Sequence, residues 1–339
     1  MPTDLTPPDP APVLDLISAF RRTQVLFTAC ELKLFDSLAS PKTVTQLATE
    51  LNLNADALER LLGACVMLRL LARVGDGYVN TPAADAYLTS ASPTRMLGYI
   101  NYSNAVLWKL WDNLPDAIRE GTHRWKQTYG TDGPIFAQLF RTPEDQREFL
   151  LGMHGYGLMS SPQVVNAVDL GRFRTFVDLG GATGHLATAA CQRWPNLNAV
   201  VFDLPQVIGL TQEVVSATPV ADRVSIVGGD FFADELPPGD VYALGRIVHD
   251  WTEAKIMKLL ARIYAALPPG GVVLLAEKVL HDDKAGPDWA VTQSLNMLLV
   301  TEGKERTLGE YAKLLEAAGF RDVTCRRTGA PLDAVTAVK

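Results

Sequence analysis

Thr175-Phe-Val-Asp-Leu-Gly-Gly-Ala-Thr-Gly-His185 reads as a strand, a glycine-rich turn and the first residue of a helix. The segments after it repeat that alternation. Asn198–Asp203, Val224–Val227, Asp240–Leu244 and Val272–Ala276 are short apolar runs with strand character. Helical stretches lie between and beyond them, at about His185–Trp194, Glu253–Leu267 and Leu308–Ala318. Two last strands, near Val323 and at Ala334–Val338, are joined through Gly329-Ala-Pro and predict an edge hairpin. Strands alternating with helices predict an α/β fold with a Rossmann-like, doubly wound sheet. Its ligand crevice should lie at the carboxyl ends of the strands.

The loop Asp178-Leu-Gly-Gly-Ala-Thr-Gly184 falls at that end of the first strand. A dinucleotide loop would show G-x-G-x-x-G and must receive a pyrophosphate. Here the spacing differs, and Asp178 stands two residues ahead of the first glycine, where a negative group suits a cationic ligand. S-adenosylmethionine carries a sulfonium and an ammonium, so it is favoured over NAD. Asp203 ends the second strand, in the place where an acid accepts both ribose hydroxyls. Gly229-Asp-Phe-Phe232 ends the third, where Asp230 can accept from an adenine amino group and Phe231 can cover the ring.

The half before Phe176 has a different texture. Met1–Pro12 holds five prolines and is expected to be a disordered tail. From Val13 to about residue 95, apolar residues at helical spacing, short helices at Thr43–Leu51 and from Asn54, and a hairpin turning on Gly75-Asp-Gly77 give a winged-helix pattern. Residues 96–170 read as a helical linker that could roof a pocket, and 171–339 as the sheet domain. Winged helices often bind DNA, but residues 1–100 carry eight Lys and Arg against ten Asp and Glu. The helix from Asn54 also mixes Arg60 and Arg69 with Asp56 and Glu59, which is no phosphate-seeking face. Packing or dimerisation is the expected role.

Composition narrows the class further. The 31 basic and 38 acidic residues give a formal charge of −7, which argues against a strongly basic nucleic-acid binder. Four cysteines, Cys30, Cys65, Cys191 and Cys325, form no C-x-x-C pair, so buried thiols in a reducing compartment are expected. The longest apolar runs, such as Gly271–Ala276, fall far short of the roughly 20 residues that span a bilayer. A cytoplasmic protein without a membrane segment is the expectation.

Six stretches occur in order: Asp178–Gly184, Val201-Phe-Asp-Leu-Pro205, Gly229–Phe232, Arg246-Ile-Val-His-Asp-Trp251, Pro269-Gly-Gly271 and Glu302-Gly-Lys-Glu-Arg-Thr307. Together they resemble the small-molecule, S-adenosylmethionine-dependent O-methyltransferases with a winged-helix dimerisation domain. Phe27–Leu32 and Ser294–Leu298 are most similar to the acetylserotonin (hydroxyindole) branch and its methyltransferase-like relatives. The resemblance implies a homodimer and methyl transfer to a small aromatic hydroxyl, hydroxyindoles first. It implies cofactor contacts at Asp178, Gly180, Gly184, Asp203, Leu204, Gly229, Asp230, Phe231 and Arg246. It implies substrate contacts at Asp250, Asn296 and Met297.

A phenol with a pKa near 10 is mostly protonated at neutral pH, so a positioned base helps its transfer by about 10²–10⁴-fold. His249, just past the fourth strand, is the best placed of the five histidines. In the resembled family the acids matching Glu277 and Glu305 flank that histidine and orient it, while Glu302 reads as a solvated carboxylate. A histidine base makes a metal unnecessary, and no metal-ligand spacing stands out. Four departures accompany the match. Ala182 stands for a glycine of the loop, Gly157 for a cofactor-side Trp, Phe140 for a Tyr, and Val300 for a substrate-binding Gln. They leave open another phenolic or polyketide-type acceptor, and a catalytically idle cofactor-binding dimer. A winged-helix regulator that senses a metabolite is a third class.

Overall fold

The computed structural model describes residues 8–131, 133, 136–137, 140 and 142–339. Its chain divides into two compact units, residues 1–104 and 105–339.

In the first unit a long helix, Ala11–Glu31, precedes the helices Val44–Leu51 and Ala55–Met67. The helix start at Ala11 corrects the expected disorder as far as residue 12. Pro12 sits in the first turn, where its missing N–H costs nothing. Residues 1–7 lie outside the described residues. Thr43 caps the second helix through a capping box with Gln46, and Asn54 accepts from the Ala57 N–H to start the third. The expected hairpin is present: β2 (Leu71–Val74) pairs antiparallel with β3 (Gly77–Asn80). The two-residue β1 (Lys42–Thr43) completes a sheet of order β1-β3-β2. The long helix buries Phe27, Ala29 and Cys30 near its end, yet leaves Leu16 and Phe20 75% and 51% exposed.

The second unit is built on a seven-stranded sheet. In chain order its strands are β4 (Thr175–Leu179), β5 (Asn198–Asp203), β6 (Val224–Gly228), β7 (Val241–Gly245), β8 (Val272–Glu277), β9 (Arg321–Arg326) and β10 (Asp333–Val338). They lie in the order β6-β5-β4-β7-β8-β10-β9, with β10 antiparallel to both its neighbours. The first five are mutually parallel. The central strands are apolar on both faces because helices cover both, as a parallel sheet requires. One apolar layer joins Phe176, Leu186, Ala190 and Val201 to Val164 and Val165 of the helix Pro143–Asn166. The opposite layer joins Val177, Tyr242, Leu244 and Leu275 to the helices Glu253–Ala266 and Leu308–Ala317. Strand order reverses between β4 and β7, so a crevice opens at their carboxyl ends. Among the described residues, no helix is long and apolar enough to cross a membrane.

Candidate active site

The glycine loop is held from both sides. Gly180 donates its N–H to the Phe202 carbonyl at 2.8 Å, and Ala182 donates to Asp203 Oδ2 at 2.7 Å. Thr211 Oγ1 donates to the Ala182 carbonyl at 2.5 Å. Gly180 and Gly184 have positive φ, which glycine adopts freely. Ala182 also has a positive φ, of 48°, and is kept there by hydrogen bonds on both its amide and its carbonyl. At Gly180 a Cβ would fall 2.5 Å from Ile247 Cδ1 and 3.4 Å from Phe231 Cε1, so these two side chains close on the loop.

Asp203 accepts one backbone N–H on each oxygen, from Ala182 and Leu204. A carboxylate has about four lone-pair sites, so each oxygen keeps capacity for a vicinal diol. Burial pushes this carboxyl up to about 6. Asp230 Oδ1 accepts from the Phe232 N–H at 2.8 Å, and its second oxygen keeps its acceptor capacity. Asp178 is different. It is buried beneath the loop, accepts from the Ala187 N–H at 3.1 Å, and leaves no room for a side chain at Gly181. Burial raises it to about 7. The structure thus seats Asp178 under the turn, where its carboxyl shapes the loop. Gly229 is a close-approach glycine, since a Cβ there would meet the Phe202 ring at 2.5 Å.

His249, Glu277 and Glu305 come together at the end of β7. Glu277 closes β8, and its Oε1 accepts the N–H groups of Ile247 and Val248 at 3.0 and 2.8 Å. This fixes the turn that carries His249. Glu305 arrives on the 302–307 segment, which is fastened to the same turn. Glu302 N–H donates to the Asp250 carbonyl at 3.1 Å, and Arg306 donates to the carbonyls of Val248 and Trp251. Gly303 passes so close to the His249 carbonyl that no Cβ fits. The result is His249 Nδ1 at 2.7 Å from Glu305 Oε1 and 3.5 Å from Glu277 Oε2. All three side chains are buried.

An Nδ1–H donated to Glu305 leaves the Nε2 lone pair as the accepting end of the ring. Burial alone would lower the imidazole, but the charges of Glu277, Glu305 and Asp250 outweigh it and raise it to about 10. Burial raises Glu277 to about 7. These three residues are also the described cluster whose donor atoms, within 4.8 Å of one another, could hold a metal ion. The short Nδ1–Glu305 hydrogen bond already uses the nitrogen such an ion would need.

The remaining expected residues fall around this pair of features. Asp250 is buried, with Oδ1 3.7 Å from His249 Nε2, and burial raises it to about 6. Asn296 Oδ1 accepts the Trp111 indole N–H at 3.0 Å. Met297 is buried in the helix Asp288–Val300, and Val300 ends that helix as a buried apolar side chain. Arg246, at a positive φ of 58°, sets its guanidinium 5.0 Å from the Tyr156 ring centre; among the described residues it has no ion pair. Glu302 is paired with Lys255 at 2.8 Å on a half-exposed surface. Phe140 packs against Phe136 and Phe149.

Gly157 is not a hole. The His185 ring fills the space against it so fully that a Cβ at 157 would collide with the imidazole. Sequence reasoning passed over this pair, and over His154, whose Nδ1 lies 2.8 Å from Thr183 Oγ1. A histidine directly after the loop's last glycine was the available signal.

The chain matches the O-methyltransferase dimerisation domain over residues 14–90 and the O-methyltransferase domain over residues 111–321. It is 39% identical over 334 residues to the acetylserotonin O-methyltransferase of Gallus gallus, covering 96% of each chain. It is 39% identical over 337 residues to a Homo sapiens protein described as a probable bifunctional dTTP/UTP pyrophosphatase/methyltransferase. That match takes in 98% of this chain but spans only 54% of the human protein's length. The crystal structure of human N-acetylserotonin methyltransferase in complex with SAM superposes with a TM-score of 0.93, at 36% identity and 99% coverage of both chains. With the domain match spanning more than half of its length, the chain belongs to the O-methyltransferase family.

Proposed function

We propose that this protein transfers the methyl group of S-adenosylmethionine to the hydroxyl of a small aromatic acceptor, using His249 as general base. The observation that carries this reading is the buried His249 ring, tied through Nδ1 to Glu305 at 2.7 Å at the carboxyl end of β7. The cofactor, when bound, supplies an electrophilic methyl on a sulfonium. Asp203, Asp230, Phe231 and the Gly180–Gly184 loop would hold its nucleoside, with Leu204 and Gly229 shaping the strand ends and Arg246 near its polar end. His249 Nε2 would take the proton of an acceptor hydroxyl placed against it, leaving that oxygen ready for the methyl group the cofactor supplies. Glu305 and Glu277 fix the ring and stabilise the imidazolium that results.

N-acetylserotonin-like hydroxyindoles are the leading acceptors, supported by the relatives and the structural neighbour named above. Asp250, Asn296 and Met297 are the residues assigned to the acceptor. A second reading, another phenolic metabolite, is favoured by Val300, which offers no side-chain hydrogen bond to an amide. We assign residues 13–95 to a dimerisation domain, 96–170 to the pocket roof and 171–339 to catalysis. A homodimer is supported by the dimerisation-domain match and by the exposed apolar residues of Ala11–Glu31. Four unpaired cysteines support a reducing, cytoplasmic setting.

A labelled-methyl assay across hydroxyindoles, phenols and flavonoids tests the proposal. Label on an aromatic hydroxyl is the expected result. Binding of S-adenosylhomocysteine with no transfer to any of the panel would favour the idle cofactor binder.

A further inference from the structure

The wall formed by His185, Gly157, Ser161 and Arg246 plays no part in the proton transfer. His185 opens the helix His185–Arg193 directly after Gly184, and its ring lies flat against the backbone at Gly157. Any side chain at 157 would push the ring away, so the glycine and the histidine form one structural unit.

The tautomer of His185 follows from its partner. Ser161 Oγ lies 2.8 Å from His185 Nδ1, and Ser161 is buried with no other hydrogen-bond partner among the described residues. If the hydroxyl accepted from Nδ1–H, its own proton would be buried without an acceptor, at a cost of roughly 1–3 kcal/mol. The hydroxyl therefore donates to Nδ1, and the ring carries its proton on Nε2. Burial, with His154 and Arg246 nearby, lowers the imidazole to about 3, so it stays neutral through the physiological range. No described residue bonds Nε2. The His185 side chain is only partly buried, which leaves this nitrogen a route to a ligand.

Arg246 stands beside it, stacked on Tyr156 without an ion-pair partner among the described residues. A fixed neutral N–H donor and a guanidinium on the same wall suit an anionic, planar acceptor. Arg246 follows directly on β7, which flanks β4 on the side opposite β5 and its terminal Asp203.

We propose that His185 donates its Nε2–H to the α-carboxylate at the amino-acid end of S-adenosylmethionine, held in register by Gly157 and Ser161. The inference rests on the cofactor reading above. It assigns this chain a recognition element that a glycine at 157 alone makes possible.

Calorimetric titration with two ligands tests it: S-adenosylhomocysteine, and 5′-methylthioadenosine, which has the same nucleoside and sulfur but no carboxylate. The wild type is expected to bind both. His185→Ala should weaken S-adenosylhomocysteine about tenfold and change methylthioadenosine less than twofold. Ser161→Ala, which leaves the ring in place but frees its tautomer, should weaken S-adenosylhomocysteine in the same selective way by a smaller factor. It decides the matter if His185→Ala does not fold. Unchanged affinity for S-adenosylhomocysteine, or an equal loss for both ligands, overturns the inference while leaving the cofactor reading standing. Wild-type protein that binds neither ligand overturns both.

Discussion

His249 Nδ1 lies 2.7 Å from Glu305 Oε1, and the same nitrogen lies 3.5 Å from Glu277 Oε2. Two buried carboxylates therefore face one imidazole nitrogen, and the opposite nitrogen is left to meet a proton. This arrangement raises the ring well above its reference value of about 6.5. An acidic limb near that reference, expected for an ordinary histidine, is replaced by one displaced to higher pH.

The sign of the next test follows. A base with a raised pKa is protonated, and idle, over a wider range, so activity of the wild type should climb as pH rises through 7 toward 10. Glu277→Gln removes one of the charges that raise the ring, while the amide oxygen can still accept the N–H groups of Ile247 and Val248. Its acidic limb should move to lower pH by about one unit or more, since a charge at this range is worth several kcal/mol at an effective dielectric near 20. A pH–rate profile of the two proteins measures this, and an unmoved limb would separate Glu277 from the titration.

Asp203→Ala should weaken S-adenosylhomocysteine binding by about tenfold or more, because charge-assisted hydrogen bonds are worth roughly 1.5–3 kcal/mol. The same change strips acceptors from the Ala182 and Leu204 amides, so thermal stability should also fall. Asp203→Asn keeps one acceptor oxygen and should sit between the two in both measurements. Equal affinity in all three proteins would place the ribose elsewhere.

Much of the sheet was legible in the sequence because its inner strands are continuous apolar runs bounded by glycine and polar turns. β4 and β5 begin and end where the pattern puts them. The helix Pro143–Asn166 was less legible, since three buried glycines and Pro162 interrupt its apolar pattern. One of those glycines, Gly157, allows the close approach of His185 at the start of the helix that follows the loop. The place of Asp178 beneath the turn was hidden, because a carboxylate at a strand end reads the same whether it faces ligand or loop. The His185–Gly157 unit was hidden too, since nothing in a linear pattern brings residues 28 positions apart into one volume. The raised pKa of His249 needs the distances to both glutamates, which the sequence does not hold.

Ala182→Gly should stabilise the protein. A non-glycine residue in the left-handed region costs about 1–2 kcal/mol, partly offset by the roughly 0.5–1 kcal/mol of chain entropy that glycine adds. Chemical denaturation should show a gain of up to about 1.5 kcal/mol. A loss of comparable size would mean that the alanine methyl makes a favourable contact that outweighs the strain.

Leu16 and Phe20 are exposed on the helix Ala11–Glu31, and a second copy of the chain is the proposed cover. Sedimentation at micromolar concentration should give twice the chain mass for the wild type. The double variant Leu16→Glu, Phe20→Glu should sediment as a monomer with its helical circular dichroism retained. A wild type that is monomeric at that concentration contradicts the assignment.

The central claim is that His249 takes the acceptor proton. Single-turnover methyl transfer, on an acceptor that the wild type methylates, tests it most directly when His249→Ala is compared beside it. The variant should lose about two to four decades in rate while binding S-adenosylhomocysteine with unchanged affinity, because the base touches the acceptor and not the nucleoside. Full rate in the variant would contradict the account, since the proton would then leave by another route.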